Sequence, residues 1–329
     1  MIKTCDTVID NLHYLSMENE YVRVEFVPEI GGKMIKIINK ETGRQFLLEP
    51  QNADKKYHKA YYGANFEDYD TSGFDECFPT IAACDYPHQG HTNPIFFPDH
   101  GELWSVPWDF QLINNELLMV CNGNKLPYHF AKRIQISKKE LKIHYYLENY
   151  SDRDFNYLWS AHPLLQVDPG DCIYIRDTVD KVFLNWASDD QIGQHGDIVE
   201  WPCITVDGML SDFSVIKGRS YGKALKCFTD RVSSGEAAVY YTMTDESLIY
   251  SFDPKENPFI GIWLCYGGWP TDQKNKHLTI ALEPSSGRPD SLNQAIERNE
   301  SGLIASNSKK EWDLNIQLKS GHPGWVKSN

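Results

Sequence analysis

Several things are missing from this chain of 329 residues, and each absence closes off a class of function. No apolar run approaches the roughly 20 residues that cross a bilayer as a helix. The longest candidate, Pro258-Phe-Ile-Gly-Ile-Trp-Leu-Cys-Tyr266, is strand-sized, and Met1-Ile-Lys-Thr-Cys-Asp6 lacks the apolar core of a secretory leader. Basic residues are in short supply. The 32 Lys and Arg face 46 Asp and Glu, a formal charge of −14, whereas nucleic acid and anionic membrane both require a basic footprint. The 8 cysteines, at positions 5, 77, 84, 121, 172, 203, 227 and 265, include no Cys-x-x-Cys, so they read as reduced, packed thiols and not as a disulfide scaffold or zinc site. No Gly-x-Gly-x-x-Gly follows a strand, and no Walker Gly-Lys-Ser/Thr or Gly-x-Ser-x-Gly elbow is present. A cytoplasmic protein without nucleic-acid or membrane partners is expected.

Helical periodicity is also scarce, confined to a short stretch at Ser291–Glu297 with Asp290 or Ser291 as its cap. No repeat, heptad run or linker divides the chain, so residues 1–329 are expected to form a single domain. What is abundant is alternation. Tyr21-Val-Arg-Val-Glu-Phe-Val27 puts Val22, Val24 and Phe26 on one side of a strand and Arg23 and Glu25 on the other. Met34–Ile38 meets a turn at Asn39–Gly43 before Gln45–Leu48 resumes. Arg133–Ile136 and Leu141–Leu147 flank a polar turn at Ser137–Glu140, and Trp312–Leu318 alternates over seven residues. Aromatics reach 13%, with 9 Trp and 18 Tyr, and favour strands and flat binding surfaces. The expected fold is all-β and mostly antiparallel, with two stacked sheets favoured over a closed barrel. The stretch from about Tyr57 to Trp108, poor in pattern and rich in Gly, Pro, His and aromatics, reads as site-bearing loops.

Three segments carry side chains suited to chemistry. In Trp159-Ser-Ala-His162-Pro163, alternation puts Leu158, Ser160 and His162 on one face, and Pro163 places His162 at a strand end or edge. An imidazole there works as acid or base near neutrality. In His277-Leu-Thr-Ile-Ala-Leu-Glu283-Pro284, Glu283 shares a face with Thr279 and Ala281, and partial burial raises its basicity. In Phe97-Pro-Asp-His100-Gly101-Glu102-Leu-Trp104, the glycine lets the backbone approach a ligand, while Trp104 and Trp108 offer apolar faces for sugar C–H surfaces. Upstream, Asp75 and Glu76 are adjacent carboxylates suited to binding several hydroxyls. A His or Glu at a strand end is an ordinary structural residue on its own, so the combination carries the reading. His88-x-x-His91 with His100 lacks the carboxylate-bearing helix of a metal motif, and no metal or cofactor is expected.

The order His-Gly, Ala-His-Pro, Leu-Glu-Pro resembles that of the aldose 1-epimerases, or galactose mutarotases. The likeness begins at Pro28-Glu-Ile-Gly-Gly-Lys33, passes through Leu147-Glu-Asn149 and His162-Pro163, and ends with Gly261-Ile-Trp263, Leu282-Glu283-Pro284 and the Trp312 strand. Asp75-Glu76-Cys-Phe-Pro79 and Tyr266-Gly-Gly-Trp-Pro270 resemble features of a divergent, mutarotase-related branch. The resemblance implies a large antiparallel β-supersandwich with an open cleft, and cofactor-free interconversion of α and β anomers of an aldose. By position, His162 would be the general acid, Glu283 the general base and His100 a substrate-positioning residue. Asp75 and Glu76 would hold hydroxyls, with Trp269 or Trp263 under the sugar face. The chain departs from the family in reading His100-Gly101-Glu102 for His-Gly-Gly, and in lacking a clear match for the family's sugar-binding Arg and later Asp. Lys132 and Arg133 are further cleft candidates. The expected partner is a small-molecule sugar, neutral or mildly charged, bound by a monomer or homodimer. Two alternatives stand beside this reading: a hexose-6-phosphate 1-epimerase, which would need paired basic groups at the cleft, and a carbohydrate-binding protein that has lost catalysis.

Overall fold

The computed structural model describes residues 2–87, 94–271 and 275–326. Two large antiparallel sheets dominate it, one of 11 strands and one of 8. The larger sheet begins with the consecutive strands Lys3–Ile9, Leu12–Glu18, Val22–Val27 and Lys33–Asn39. It continues through Phe74–Cys77, Ser160–Pro163, Leu278–Ser285, Phe259–Tyr266, Lys223–Phe228, Lys181–Ala187 and Ile198–Glu200. The smaller sheet includes Tyr128–Ser137, Glu140–Asn149 and the long Ser308–Ser320 at its centre. One apolar cluster lies between the sheets. Val24, Ile37, Ile262, Ile280 and Leu282 enter it from the larger sheet, and Phe130, Ile143, Leu314 and Ile316 from the smaller, all buried. Facing sheets with alternating inward residues form a sandwich, as the periodicity predicted.

The local expectations hold in most places. Val22, Val24 and Phe26 are fully buried, while the part-exposed Arg23 and Lys36 pair with Glu25, whose carboxylate is itself buried. Tyr128–Ser137 and Glu140–Asn149 form the expected hairpin, with Ser137 opposite Glu140. Gln45–Leu48 is not a continuous strand: it makes only the isolated bridges Ile38–Gln45 and Leu47–Leu165. The helix spans Leu292–Glu297 with Ser291 at its cap position but no capping bond, because the Ser291 hydroxyl binds Asn293 instead. No helix among the described residues is long and apolar enough to cross a membrane. All eight cysteines are free, and five of them are buried.

Candidate active site

Six neighbouring strands of the larger sheet build the floor of a cleft on the sheet's outer face, away from the sandwich core. Directly paired residues in an antiparallel sheet project to the same side. His162 is opposite Asp75, Gly261 opposite Glu283, and Trp263 opposite both Ala281 and Lys226. The even-numbered neighbours Ile262, Ile280 and Leu282 point into the core, so Glu283, His162, Lys226 and Trp263 are left on the cleft side. On the next strand the register shifts between Leu184 and Trp186, and the bulge returns Trp186 to the cleft side, opposite Lys226. Gly261 is glycine for a reason of space: a Cβ there would lie 3.2 Å from the Glu283 Cβ and Oε2 and 3.1 Å from the Phe228 ring.

His162 Nε2 lies 4.0 Å from Glu283 Oε1. The other Glu283 oxygen accepts hydrogen bonds from the Lys226 ammonium and, at 3.4 Å, from the Ser160 hydroxyl. Lys226 is also 3.8 Å from Asp290. His100 arrives on a loop, stacked on Phe66 with ring centroids 4.2 Å apart and set edge-on to His162 at 5.0 Å. Its Nδ1 is hydrogen-bonded to Asp99 at 2.9 Å, which leaves Nε2 for the cleft. Trp186, Trp263 and Trp269 form an aromatic wall, successive rings 5.8 Å apart. The hollow has a volume of about 230 Å³, just below the roughly 300–1,000 Å³ of small-molecule sites. His162 Nδ1, Glu283 Oε1, Asp290 Oδ1 and both Asp75 oxygens are buried without a hydrogen bond. Asp75 lies 3.1 Å from the Lys33 ammonium, a contact of charges rather than a directed bond. Buried polar atoms normally have partners, and of these residues His162 and Asp290 line the cleft, where a ligand would bring hydrogen-bond donors.

Burial sets the protonation states. It raises the Glu283 carboxyl, partly offset by the Lys226 ammonium, and it drives His162 well below the usual histidine range, helped by His100, Lys226 and Lys33. Both shifts favour uncharged forms. For His100 burial acts downward too, but the adjoining Asp99 outweighs it and the imidazole is raised. Burial would likewise lower Lys226, yet Glu283 and Asp290 hold it above an ordinary lysine. Asp75 is pushed up to about 7 by burial, against the pull of Lys33.

The residues expected from the sequence divide sharply. His162, His100 and Trp269 line the cleft, while Glu283, next to His162 and Lys226, and Asp75 lie fully buried beneath it on the same face. Glu76 does not belong there. One residue along the strand, it points the opposite way into the sandwich, where Lys132, Tyr145 and Trp159 satisfy its carboxylate. Lys132 is thereby a core residue, and Arg133 is an exposed partner of Glu116. Trp104 and Trp108 are buried and do not line the cleft, Trp104 lying behind Phe66, and their indole N–H groups are bonded to Asp99 and Leu103 carbonyls. Gly101 serves backbone packing: its φ is +74°, and a Cβ would meet the Phe78 carbonyl oxygen at 2.2 Å. His88 and His91 lie outside the described residues, and among those described no group of three His, Cys, Asp or Glu is placed to hold a metal. Lys226, Asp290 and Trp186 were not anticipated. Lys226 sits in an ordinary apolar strand, and only its pairing with Glu283 distinguishes it.

A domain of unknown function (DUF5107) matches residues 3–88, the first part of the chain. No curated protein matches it. Among solved structures, a galactose mutarotase-like protein from Lactobacillus casei is 14% identical with a TM-score of 0.67, over 93% of this chain and 99% of that one. A galactose mutarotase-like protein from Clostridium acetobutylicum is 14% identical with a TM-score of 0.66, over 97% and 98%. A candidate aldose 1-epimerase from Klebsiella pneumoniae is 10% identical with a TM-score of 0.70, over 97% and 84%. The chain therefore has the galactose mutarotase-like fold along nearly its whole length.

Proposed function

We propose that the protein is an isomerase that interconverts the α and β anomers of an aldose. The observation that carries this reading is the approach to 4.0 Å of an imidazole that lines a tryptophan-walled cleft and a carboxyl group buried directly behind it. Opening a pyranose hemiacetal takes a proton from the anomeric hydroxyl and gives one to the ring oxygen. Both oxygens are bonded to the same carbon, so the acid and the base must be close neighbours, each within about 2.6–3.2 Å of its own oxygen. Rotation about the C1–C2 bond of the open aldehyde and reclosure on the other face reverse the two transfers.

Glu283 is the base on the anomeric hydroxyl and His162 the acid at the ring oxygen. With one proton between them, the charged and uncharged forms of the pair are tautomers of a single protonation state. The uncharged form suits the buried cleft, and sugar hydroxyls favour the charged one by bonding to it. Glu283 has no exposed surface in this structure, so sugar entry moves His162 or Lys226 off its carboxylate. Ser160 and Lys226 hold the other carboxylate oxygen and fix its direction. His100, oriented by Asp99, directs Nε2–H at a sugar oxygen, and the tryptophan faces take the apolar side of the ring. Two positioned proton-transfer groups, each worth about 10²–10⁴-fold, lower the barrier by roughly 5–11 kcal/mol at 1.36 kcal/mol per decade.

Saturation-transfer NMR between the anomeric protons tests the proposal with wild type and the E283Q and H162N variants. Accelerated exchange of at least one aldose, lost in both variants, supports it. Binding of aldoses without any acceleration would refute it and favour a carbohydrate-binding protein.

A further inference from the structure

Building on that reading, we infer that Asp290 is the specificity-determining acceptor of the cleft: it takes a hydrogen bond from a hydroxyl or ammonium substituent of the aldose and turns away sugars bearing phosphate or carboxylate. Asp290 follows the Glu283 strand at the rim of the cleft and is locked from several directions. Its carbonyl oxygen accepts from the N–H groups of Ile81 at 3.0 Å and Ala82 at 2.9 Å. Its own N–H donates to Asn185 Oδ1 at 3.1 Å, and its Oδ2 accepts from Asn185 Nδ2 at 2.8 Å. Asn185 is the residue within the register shift that returns Trp186 to the cleft side. The bulge therefore supplies both part of the aromatic wall and the clamp on this carboxylate.

The clamp uses one oxygen and leaves the other. Asp290 Oδ1 lines the cleft, is buried without a hydrogen bond, and has the Lys226 ammonium 3.8 Å away. A buried acceptor fixed in place with a free lone pair is costly unless a donor arrives. The surrounding charges allow only certain donors. Lys226 is paired with Glu283, Lys33 with Asp70 and Asp75, and His100 with Asp99. Among the described residues, Lys226, Lys33 and His100 are thus each matched to a carboxyl group, and Asp290 adds a further one. Among the described residues lining the cleft there is no arginine. An anionic substituent at Asp290 Oδ1 would bring a second acceptor to an oxygen that lacks a donor, whereas a hydroxyl or ammonium completes it.

The test measures binding and anomer exchange for D-glucose, D-galactose, D-glucosamine, glucose 6-phosphate and glucuronate, with wild type and D290N. Neutral and amino sugars are expected to bind at least tenfold more tightly than the two anionic sugars. D290N, which keeps an oxygen for Asn185, is expected to lose about tenfold or more in affinity for the neutral sugars, as for a hydrogen bond to a charged group, and to narrow the gap to the anionic ones. Wild type binding glucose 6-phosphate or glucuronate as well as its preferred neutral sugar would overturn the inference, as would an unchanged preference in D290N. The wild-type comparison decides the matter even where the variant folds poorly. Selective binding of neutral sugars with no exchange of any aldose would refute the isomerase reading and leave the role of Asp290 standing.

Discussion

Replacing Lys226 with methionine probes the electrostatic design of the site most sharply. The Lys226 and Glu283 side chains are 6% and 0% exposed, so the ion pair lies almost wholly outside solvent. Removing one partner of a buried pair costs about 3–5 kcal/mol, because the charge left behind has neither water nor a counterion. The loss here falls on two carboxyl groups, since Asp290 also faces the ammonium at 3.8 Å. K226M is therefore expected to be less stable than E283Q, in which Lys226 keeps Asp290. The pH dependence gives the signature. Glu283 and Asp290 are already raised above ordinary carboxyl groups, by burial first, and losing the ammonium raises them further. A carboxyl group raised on folding binds its proton more tightly in the folded chain, so stability increases as pH falls through the folded value toward the unfolded one. The K226M deficit, about 3–5 kcal/mol near pH 8, should shrink steadily toward pH 5. Urea unfolding of wild type, K226M, E283Q and the double variant across that range measures it, and the double variant should recover much of the loss. A deficit that is independent of pH, or below about 1 kcal/mol as for an exposed pair, would refute the reasoning.

Three further outcomes follow from particular contacts. E76Q leaves the Lys132 ammonium buried without its counterion, so it should lose about 3–5 kcal/mol in urea unfolding, with the KM of anomer exchange unchanged because Glu76 faces the core. G261A inserts a methyl group 3.1–3.2 Å from Phe228 and Glu283. It should cost about 1–3 kcal/mol through overpacking and depress kcat far more than it raises KM, as steady-state exchange rates would show. D99N removes the carboxylate that raises His100 against the downward pull of burial. A raised imidazole contributes stability fully present below its unfolded value and lost as pH rises through its folded value. The variant should give up that acid-side stability, raise KM about tenfold through the misdirected imidazole, and move the alkaline limb of kcat/KM to lower pH.

The sheet architecture was legible because a strand with one buried face writes its orientation into every second residue. Tyr21–Val27 and Trp312–Leu318 show this directly, and so does the position of Glu283 opposite Leu282 and Ile280. The same alternation gives the reason that Asp75 and Glu76 cannot share a role. Adjacent residues on one strand face opposite sides, and the aromatic loop context obscured that this stretch is a strand at all. Trp186 escaped notice because a bulge resets the period, and a period-2 pattern contains no signal for a bulge. Lys226 and Asp290 were invisible for a different reason. Their importance lies in partners 57 residues and 64 residues away in sequence, which only strand pairing brings within 4 Å. The glycine of His100-Gly101, expected to let the backbone approach a ligand, instead makes its close backbone approach to Phe78.

The most direct measurement of the central claim is the crystal structure of the protein soaked with an aldose that it binds in solution. One pyranose is expected against Trp263 and Trp269, with its anomeric hydroxyl on Glu283 Oε1 and its ring oxygen on His162 Nε2, each within about 3.2 Å. A sugar seated in the cleft with C1 turned away from both groups, or bound elsewhere on the chain, would contradict it.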